Sequence, residues 1–125
     1  MTDERLIVAL DVHSMDEVHN LVETLGDSVG FYKVGMELFY SMGHEVIEYL
    51  KDKQKKVFLD LKLHDIPNTV ANSLRVLTRL DVDMINVHAT GGLVMMQKAL
   101  DAVKDESEKL GIKRPKLVAV TILSS

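Results

Sequence analysis

Three charged side chains lie close together near the middle of the chain, and their types suit acid–base chemistry. Asp60, Lys62 and Asp65 occur within Phe58–Asp65, where most other residues are apolar. Asp60 and Lys62 are two residues apart, so on a β-strand both would project to the same face. A buried charge persists when it is paired. We interpret the series as a structural salt bridge or a catalytic array, and its position at a strand end favours catalysis.

Two more charged residues lie in apolar surroundings. Lys33 falls within Phe31–Met36, and Asp11 ends the first apolar run of the chain. Lys33 could simply bury its stem and extend its amine to water, and Asp11 could cap the next helix. If the strands carrying Lys33 and Asp60 are neighbours, the lysine amine would lie near that carboxylate. This pairing favours a functional role for Lys33.

Other polar positions at the strand ends carry weaker signals. His88 ends the fourth apolar run and is interpreted as a structural histidine with satisfied hydrogen bonds. Gly91–Gly92 precede a helix, where a tight turn is favoured over an anion site. Ser124–Ser125 follow the fifth run and could contact a ligand. No role is assigned to His64.

Five short apolar runs must position these residues. They are rich in Val, Ile, Leu and Phe without strict polar alternation, which is typical of strands buried on both faces of a parallel sheet. The predicted strands are Leu6–Leu10, Phe31–Met36, Lys56–Leu61, Met84–Val87 and Leu117–Ile122.

Helical segments separate the strands. Ser14 and Glu17 form a capping box for a helix that stops near Gly26. Pro67 suits the first turn of a later helix, and another helix ends near Gly111. The alternation predicts four βα units and a fifth strand, in an open doubly wound sheet or part of a (β/α)8 barrel.

The first strand–helix turn favours the barrel. Asp11-Val12-His13-Ser14 lacks the glycine-rich fingerprint of a dinucleotide-binding fold. We therefore predict an α/β fold of the TIM barrel family, with residues 1–125 forming one partial barrel domain. Because a full barrel needs about 250 residues, we expect a fragment, an engineered half, or a chain that requires a partner.

Composition narrows the possible partners. The 125 residues carry a net charge of −4 and contain no cysteine. We expect no nucleic-acid or membrane partner, no disulfide and no thiolate metal site. The charged N-terminus does not resemble a signal peptide, and we predict a cytoplasmic location.

At this point the residues resemble a known family. Asp60-x-Lys62-x-x-Asp65 within Phe58–Thr69 is similar to the signature of orotidine 5′-phosphate decarboxylases. The resemblance covers essentially the whole chain but only about the N-terminal half of the family's barrel. Further segments match in order and spacing: Val8–Asp11, Lys33–Phe39, Asn86–Ala89 and Ala119–Ser125.

The resemblance implies decarboxylation of orotidine 5′-monophosphate to uridine 5′-monophosphate, in pyrimidine biosynthesis. Lys62 would donate a proton to C6 of the pyrimidine, and Asp60 would lie beside the departing carboxylate. Lys33 would complete the charged array and contact the ribose. Asp11 would bind a ribose hydroxyl.

The resemblance also implies a homodimer with shared active sites, without cofactor or metal. Asp65 and Thr69 would reach across the dimer interface. Ile66 and Ser124 would bind the substrate, with Ser124 against the pyrimidine.

Two alternatives remain at this level. Related barrels that act on sugar phosphates share the Asp-x-Lys-x-x-Asp pattern and resemble magnesium enzymes, but they carry glutamate where this chain has Lys33. Lysine cannot ligate magnesium, which needs oxygen donors. The other alternative is a non-catalytic half-barrel or self-associating scaffold, because barrels commonly bind phosphate through loops after strands seven and eight.

Overall fold

The computed structural model describes residues 5–121, and strands alternate with helices through this range. The helices all run between successive strands, as expected for repeated βα units. The strands are β1 (Val8–Ala9), β2 (Phe31–Gly35), β3 (Lys56–Leu63), β4 (Met84–His88) and β5 (Lys116–Val120), and the α-helices are α1 (Met15–Leu25), α2 (Met36–Asp52), α3 (Pro67–Thr78) and α4 (Leu93–Leu110).

The strands form a sheet in which sequence order and spatial order agree. The order is β1-β2-β3-β4-β5, and the pairs β1–β2, β2–β3 and β4–β5 are parallel. Gly35 is in register with Asp60, and His88 is in register with Val120. Each register brings the carboxyl ends of the paired strands level, where side chains from different strands can meet.

The chain divides into two compact units, one up to Asp60 and one from Leu61 onward. The first unit contains β1, α1, β2, α2 and most of β3. Its strands and helices bury one another's apolar faces, as their spacing predicts. The fully or almost fully buried side chains are Val18, Val22, Tyr32, Val34, Leu38, Val46, Leu50, Val57 and Leu59.

The second unit contains the end of β3, the helices α3 and α4, and the strands β4 and β5. Helix α3 packs against α4, and the apolar stripe of each helix lies in their shared core. The buried apolar side chains here are Val70, Leu74, Leu77, Ile85, Val87, Met95, Ala99, Ala102 and Val103.

Local capping chemistry sets the helix ends where the sequence predicted them. The backbone N–H of Glu17 donates to Ser14 Oγ at 3.2 Å, which is one of the two hydrogen bonds of a capping box. The Glu17 carboxylate accepts from His13 N at 3.3 Å, one residue before the N-cap. Pro67 opens α3. Gly111 ends α4 in the left-handed conformation with φ 68°, which glycine adopts without steric cost.

The observed strand bounds differ from all five predictions, by one residue at β2 and β4 and by more at the other three strands. β1 is only Val8–Ala9 rather than Leu6–Leu10, and Leu6 is 50% exposed, so its apolar side chain does not extend the strand. β3 runs two residues further than predicted, to Leu63. Strand β5 ends at Val120, and Ile122 lies outside the described residues.

Candidate active site

An ion pair joins the strands β2 and β3 in the first unit. Lys33 Nζ lies 3.2 Å from Asp60 Oδ2. In the β2–β3 register Lys33 is opposite Phe58 and Gly35 is opposite Asp60, so the lysine reaches diagonally toward the strand end. The carbonyl of Lys33 accepts a hydrogen bond from Leu10 N at 2.9 Å, which ties this residue to β1 as well.

The two side chains of this ion pair differ in solvent exposure. The Asp60 side chain is 10% exposed, whereas the Lys33 side chain is 33% exposed. A nearly buried carboxylate needs a compensating charge, and Lys33 supplies one while part of its own side chain remains in water. The pair therefore lies at the border between the core and solvent, where a charged ligand group can approach.

A cleft opens beyond the carboxyl ends of β1 and β2, within the first unit. Its volume is about 520 Å³, and Asp11 is part of its wall. Across the same cleft, His13 Nδ1 lies 3.0 Å from Glu37 Oε1. Asp11 is exposed, so its carboxylate is accessible to a small polar ligand in this cleft.

Lys62, in the second unit, has an unusual backbone conformation. Its φ angle is +50°, although it lies inside β3. Its backbone N–H donates to Asn86 Oδ1 at 2.8 Å. The prediction that Asp60 and Lys62 share a strand face assumed extended backbone throughout, and Lys62 departs from that conformation.

The sequence interpretation missed Asn86. This residue is 2% exposed, between Ile85 at 0% and Val87 at 1%. Its signal in the sequence was an amide side chain inside an apolar strand, and a buried amide normally has a specific hydrogen-bond partner. The backbone N–H of Lys62 is one such partner.

The loop after β3 and the turn after β4 form a second cleft, within the second unit. This cleft has a volume of about 580 Å³ and is lined by His64, Asp65, Ile66, Pro67 and Gly91. Asp65 Oδ1 accepts a hydrogen bond from Ile66 N at 2.7 Å, and the Ile66 side chain is 65% exposed. The carboxylate thus shapes the turn that leads into α3.

Two histidines lie beside this second cleft. The rings of His64 and His88 stack with centroids 5.7 Å apart. His88 Nδ1 accepts a hydrogen bond from Thr90 N at 3.2 Å and lies 2.6 Å from Thr90 Oγ1. His88 therefore has local structural partners, as its interpretation from the sequence proposed.

Each of the two units holds some of the predicted site residues. Lys33 and Asp60 form an ion pair, whereas Asp11 lines the first cleft and Asp65 and Ile66 line the second. Thr69 is exposed in the first turn of α3. Ser124 lies outside the described residues.

Two further features concern residues 5–121, namely the grouping of possible metal ligands and the apolar character of the helices. In this range, no three His, Asp or Glu side chains are grouped so that they could hold a metal ion. None of the helices in the same range has both the length and the apolar character needed to cross a membrane.

Comparison with known proteins assigns the family. The family model described as Orotidine 5′-phosphate decarboxylase / HUMPS family matches residues 4–125. The chain belongs to this family. It is 55% identical over 122 residues to the orotidine 5′-phosphate decarboxylase of Carboxydothermus hydrogenoformans, covering 98% of this chain and 50% of that protein. A Nostoc sp. orotidine 5′-phosphate decarboxylase is 46% identical over 125 residues, covering 100% of this chain and 52% of the relative.

Solved structures agree with the fold of this family member. The orotidine 5′-phosphate decarboxylase of Lactobacillus acidophilus matches with a TM-score of 0.86 and 44% identity, covering 98% of this chain and 55% of that one. The Methanocaldococcus jannaschii orotidine 5′-monophosphate decarboxylase, complexed with the inhibitor BMP, matches with a TM-score of 0.75 and 34% identity, over 96% of this chain and 53% of that one.

These comparisons confirm the predicted fold class. The parallel five-stranded sheet alternating with helices corresponds to part of the barrel of these decarboxylases. The chain spans about half the length of the curated relatives it matches. The prediction that residues 1–125 form a single domain remains a prediction.

Proposed function

We propose that this chain supplies the catalytic charged residues for decarboxylation of orotidine 5′-monophosphate to uridine 5′-monophosphate. The observation that carries the proposal is the Lys33–Asp60 ion pair between β2 and β3, which is 3.2 Å long and is followed in the sequence by Lys62. The names of the curated relatives support the same reaction.

Each charged residue has a distinct task in the proposed reaction. Loss of carbon dioxide leaves a carbanion at C6 of the pyrimidine. The ammonium group of Lys62 stabilises this developing charge and then donates a proton to it. Asp60 lies beside the departing carboxylate, and Lys33 balances the charge of Asp60 while contacting the ribose.

The electrostatic contribution of Lys62 is too small to account for the whole rate acceleration. An ammonium about 4 Å from a unit negative charge, at an effective dielectric constant near 20, contributes roughly 4 kcal/mol. That is nearly three tenfold steps in rate. The remaining acceleration comes from binding energy at the ribose and phosphate, which holds the base against the charged residues.

The surrounding residues complete the substrate contacts in this proposal. Asp11 binds a ribose hydroxyl from the first cleft, and Ile66 and Ser124 contact the substrate. Asp65 and Thr69 extend into the active site of a partner subunit, so the enzyme is a cytoplasmic homodimer with shared sites. No cofactor takes part.

The family description also includes the HUMPS group, so the nearest competing reaction is magnesium-dependent chemistry on a sugar phosphate. The residue at position 33 distinguishes the two reactions. An ammonium group has no lone pair for a metal, whereas magnesium requires oxygen ligands. Lys33 therefore favours the metal-independent decarboxylase.

The test measures the change in ultraviolet absorbance when orotidine 5′-monophosphate is added to two proteins. One is this 125-residue chain. The other is a hybrid in which the chain is followed by the second half of the Carboxydothermus hydrogenoformans relative. We expect the hybrid to turn over substrate in the presence of a chelator, because the proposed chemistry needs no metal.

Lys62→Ala is the matched control in both proteins. We expect it to abolish turnover in the hybrid while leaving the thermal unfolding temperature nearly unchanged. Turnover that survives in Lys62→Ala contradicts the role of Lys62, and turnover that requires magnesium favours the sugar-phosphate class. If the 125-residue chain is active by itself, it contains a sufficient site. If it is inactive while the hybrid is active, the site needs strands from the second half of the barrel.

A further inference from the structure

The backbone of Lys62 is in a conformation that lysine rarely adopts. Its φ angle of +50° lies in the left-handed region, where a residue with a Cβ atom is strained. The flanking residues Leu61 and Leu63 belong to the same strand. Such a conformation persists where the surroundings hold it, and it changes the direction in which the side chain leaves the strand.

Asn86 contacts the backbone of this residue. Its Oδ1 atom accepts the Lys62 N–H at 2.8 Å, a good length for a hydrogen bond. The φ angle measures rotation about the N–Cα bond, so an anchored N–H together with a φ of +50° defines the direction in which the side chain leaves the backbone.

The position of Asn86 on β4 suits this task. Its backbone is in register with Val118 of β5, and its side chain reaches the Lys62 backbone on β3. Burial of an amide among apolar residues costs free energy unless its hydrogen bonds are made. A valine or leucine would pack between Ile85 and Val87 without this requirement, so packing alone does not explain the asparagine.

We propose that Asn86 is a positioning residue that aims the Lys62 side chain at the reacting carbon. The inference rests on the proposed role of Lys62 as the proton donor. Asn86 itself contacts no substrate in this proposal. It fixes the Lys62 backbone in the left-handed conformation, and so sets the direction of the Cα–Cβ bond that carries the ammonium group.

Three hybrid variants separate positioning from simple packing. Asn86→Leu keeps the side-chain size and removes the acceptor. Asn86→Asp keeps an acceptor oxygen at the same place. Val87→Ala perturbs the packing of the same strand through a residue that is 1% exposed, and leaves the Asn86–Lys62 hydrogen bond intact.

Steady-state kinetics and thermal unfolding are measured on each variant. We expect Asn86→Leu to lower kcat by about 100-fold, the cost of misplacing a catalytic group by about 1 Å, with KM almost unchanged. Asn86→Asp recovers kcat to within about tenfold of the parent hybrid, because a carboxylate oxygen also accepts the N–H. Val87→Ala lowers the unfolding temperature without a matching loss of kcat.

The inference is overturned if Asn86→Leu has the same kcat as the parent hybrid. It is also overturned if kcat falls in both Asn86→Leu and Val87→Ala in proportion to the stability that each variant loses.

Lys62→Ala distinguishes the positioning role of Asn86 from the proposed function of the chain. Loss of turnover in Lys62→Ala with a fully active Asn86→Leu removes only the positioning role. Turnover that survives in Lys62→Ala removes the proposed function itself.

A measurement on the unsubstituted hybrid covers the case in which Asn86→Leu does not fold. Hydrogen exchange of the Lys62 amide is followed by nuclear magnetic resonance. We expect slow exchange, comparable with that of the β3 ladder amides, because the N–H is bonded to a buried acceptor. Exchange as fast as that of an exposed loop amide would show that the contact is absent, and the inference would fail.

Discussion

Within residues 5–121, two carboxylates are withdrawn from solvent, and they differ in almost everything except burial. The Asp60 side chain on β3 is 10% exposed and lies 3.2 Å from the amine of Lys33. Glu106 on α4 has a side chain that is 4% exposed, and its Oε2 accepts a hydrogen bond from Arg79 Nε at 2.8 Å. A second guanidinium, that of Arg75, lies 3.8 Å from its other oxygen.

The partners determine what each carboxylate is able to do. The guanidinium groups are planar and remain charged at any ordinary pH. The hydrogen bond from Arg79 is the largest cause that lowers the pKa of Glu106, and the nearby charges of Arg79, Lys109 and Arg75 add to it against the opposing effect of burial. Glu106 is therefore a fixed anion that holds α3 against α4.

Asp60 lies in a setting that is suited to chemistry. Its partner Lys33 carries a compact charge on a flexible stem, and the lysine side chain is partly exposed. The pair lies on strands of a barrel family, whose enzymes place their active sites toward the carboxyl ends of the strands. Burial and charge are common to both carboxylates, so neither property identifies a catalytic residue. The position in the fold and the type of partner distinguish them.

The largest expected effect is on activity at Asp60. Asp60→Asn in the hybrid should lower kcat/KM by roughly 10³, the order found when one preorganised electrostatic group is removed. The unfolding temperature should change little, because the Lys33 side chain is 33% exposed and its charge can be hydrated after the carboxylate is lost. Enzyme kinetics and calorimetry on the same sample measure both quantities.

Glu106→Gln is the matched control for Asp60→Asn, since both changes replace a buried carboxylate by the corresponding amide. If Asp60→Asn unfolded the protein while Glu106→Gln lowered kcat/KM, the contrast between the two carboxylates would be wrong.

A smaller effect, on stability, is expected from Glu106→Gln. The substitution leaves Arg79 without its anionic partner between α3 and α4, and should lower the unfolding temperature by several degrees at pH 7 while kcat stays within about twofold of the parent. Calorimetry on the hybrid measures the shift. An unchanged unfolding temperature would mean that the Arg79–Glu106 bond contributes nothing to the packing of α3 against α4.

The pH dependence of the same variant gives a sharper test. Because the folded-state pKa of Glu106 is lowered from its ordinary value of 4.5, its contribution to stability is fully present above that value. It is lost as the pH falls through the folded-state pKa, where the carboxylate becomes protonated. The difference in unfolding temperature between the parent and Glu106→Gln should therefore stay constant from pH 7 to 5 and narrow at lower pH. A constant difference down to pH 3 would contradict this assignment.

The contrast also explains which features were predictable from sequence. The capping box at Ser14, the proline that opens α3 and the glycine that ends α4 depend on neighbouring residues, and all three lie where they were predicted. The pairing of Lys33 with Asp60 followed from the order of two adjacent strands.

Features that depend on distant contacts were not predictable in this way. The Arg79–Glu106 bond joins residues 27 positions apart on two helices, and their relative rotation sets which side chains meet. The left-handed Lys62 and its contact with Asn86 depend on the height of one strand beside another. The apolar run Leu6–Leu10 overestimated β1, because pattern alone does not distinguish paired residues from adjoining exposed ones.

The smallest expected effect separates the two arginines around Glu106. Arg79 donates a hydrogen bond at 2.8 Å, whereas Arg75 lies 3.8 Å from Glu106 and 3.7 Å from Asp105. The Arg75 side chain is 36% exposed, so solvent screens its contacts with the two carboxylates and they contribute little to stability. Arg75→Ala should therefore lower the unfolding temperature by less than Arg79→Ala does, and the shift should shrink in high salt because the contact is screened. Equal shifts for the two variants would mean that Glu106 is held by a shared charge network rather than by one directed hydrogen bond. The contrast between Glu106 and Asp60 would then be weaker than the distances suggest.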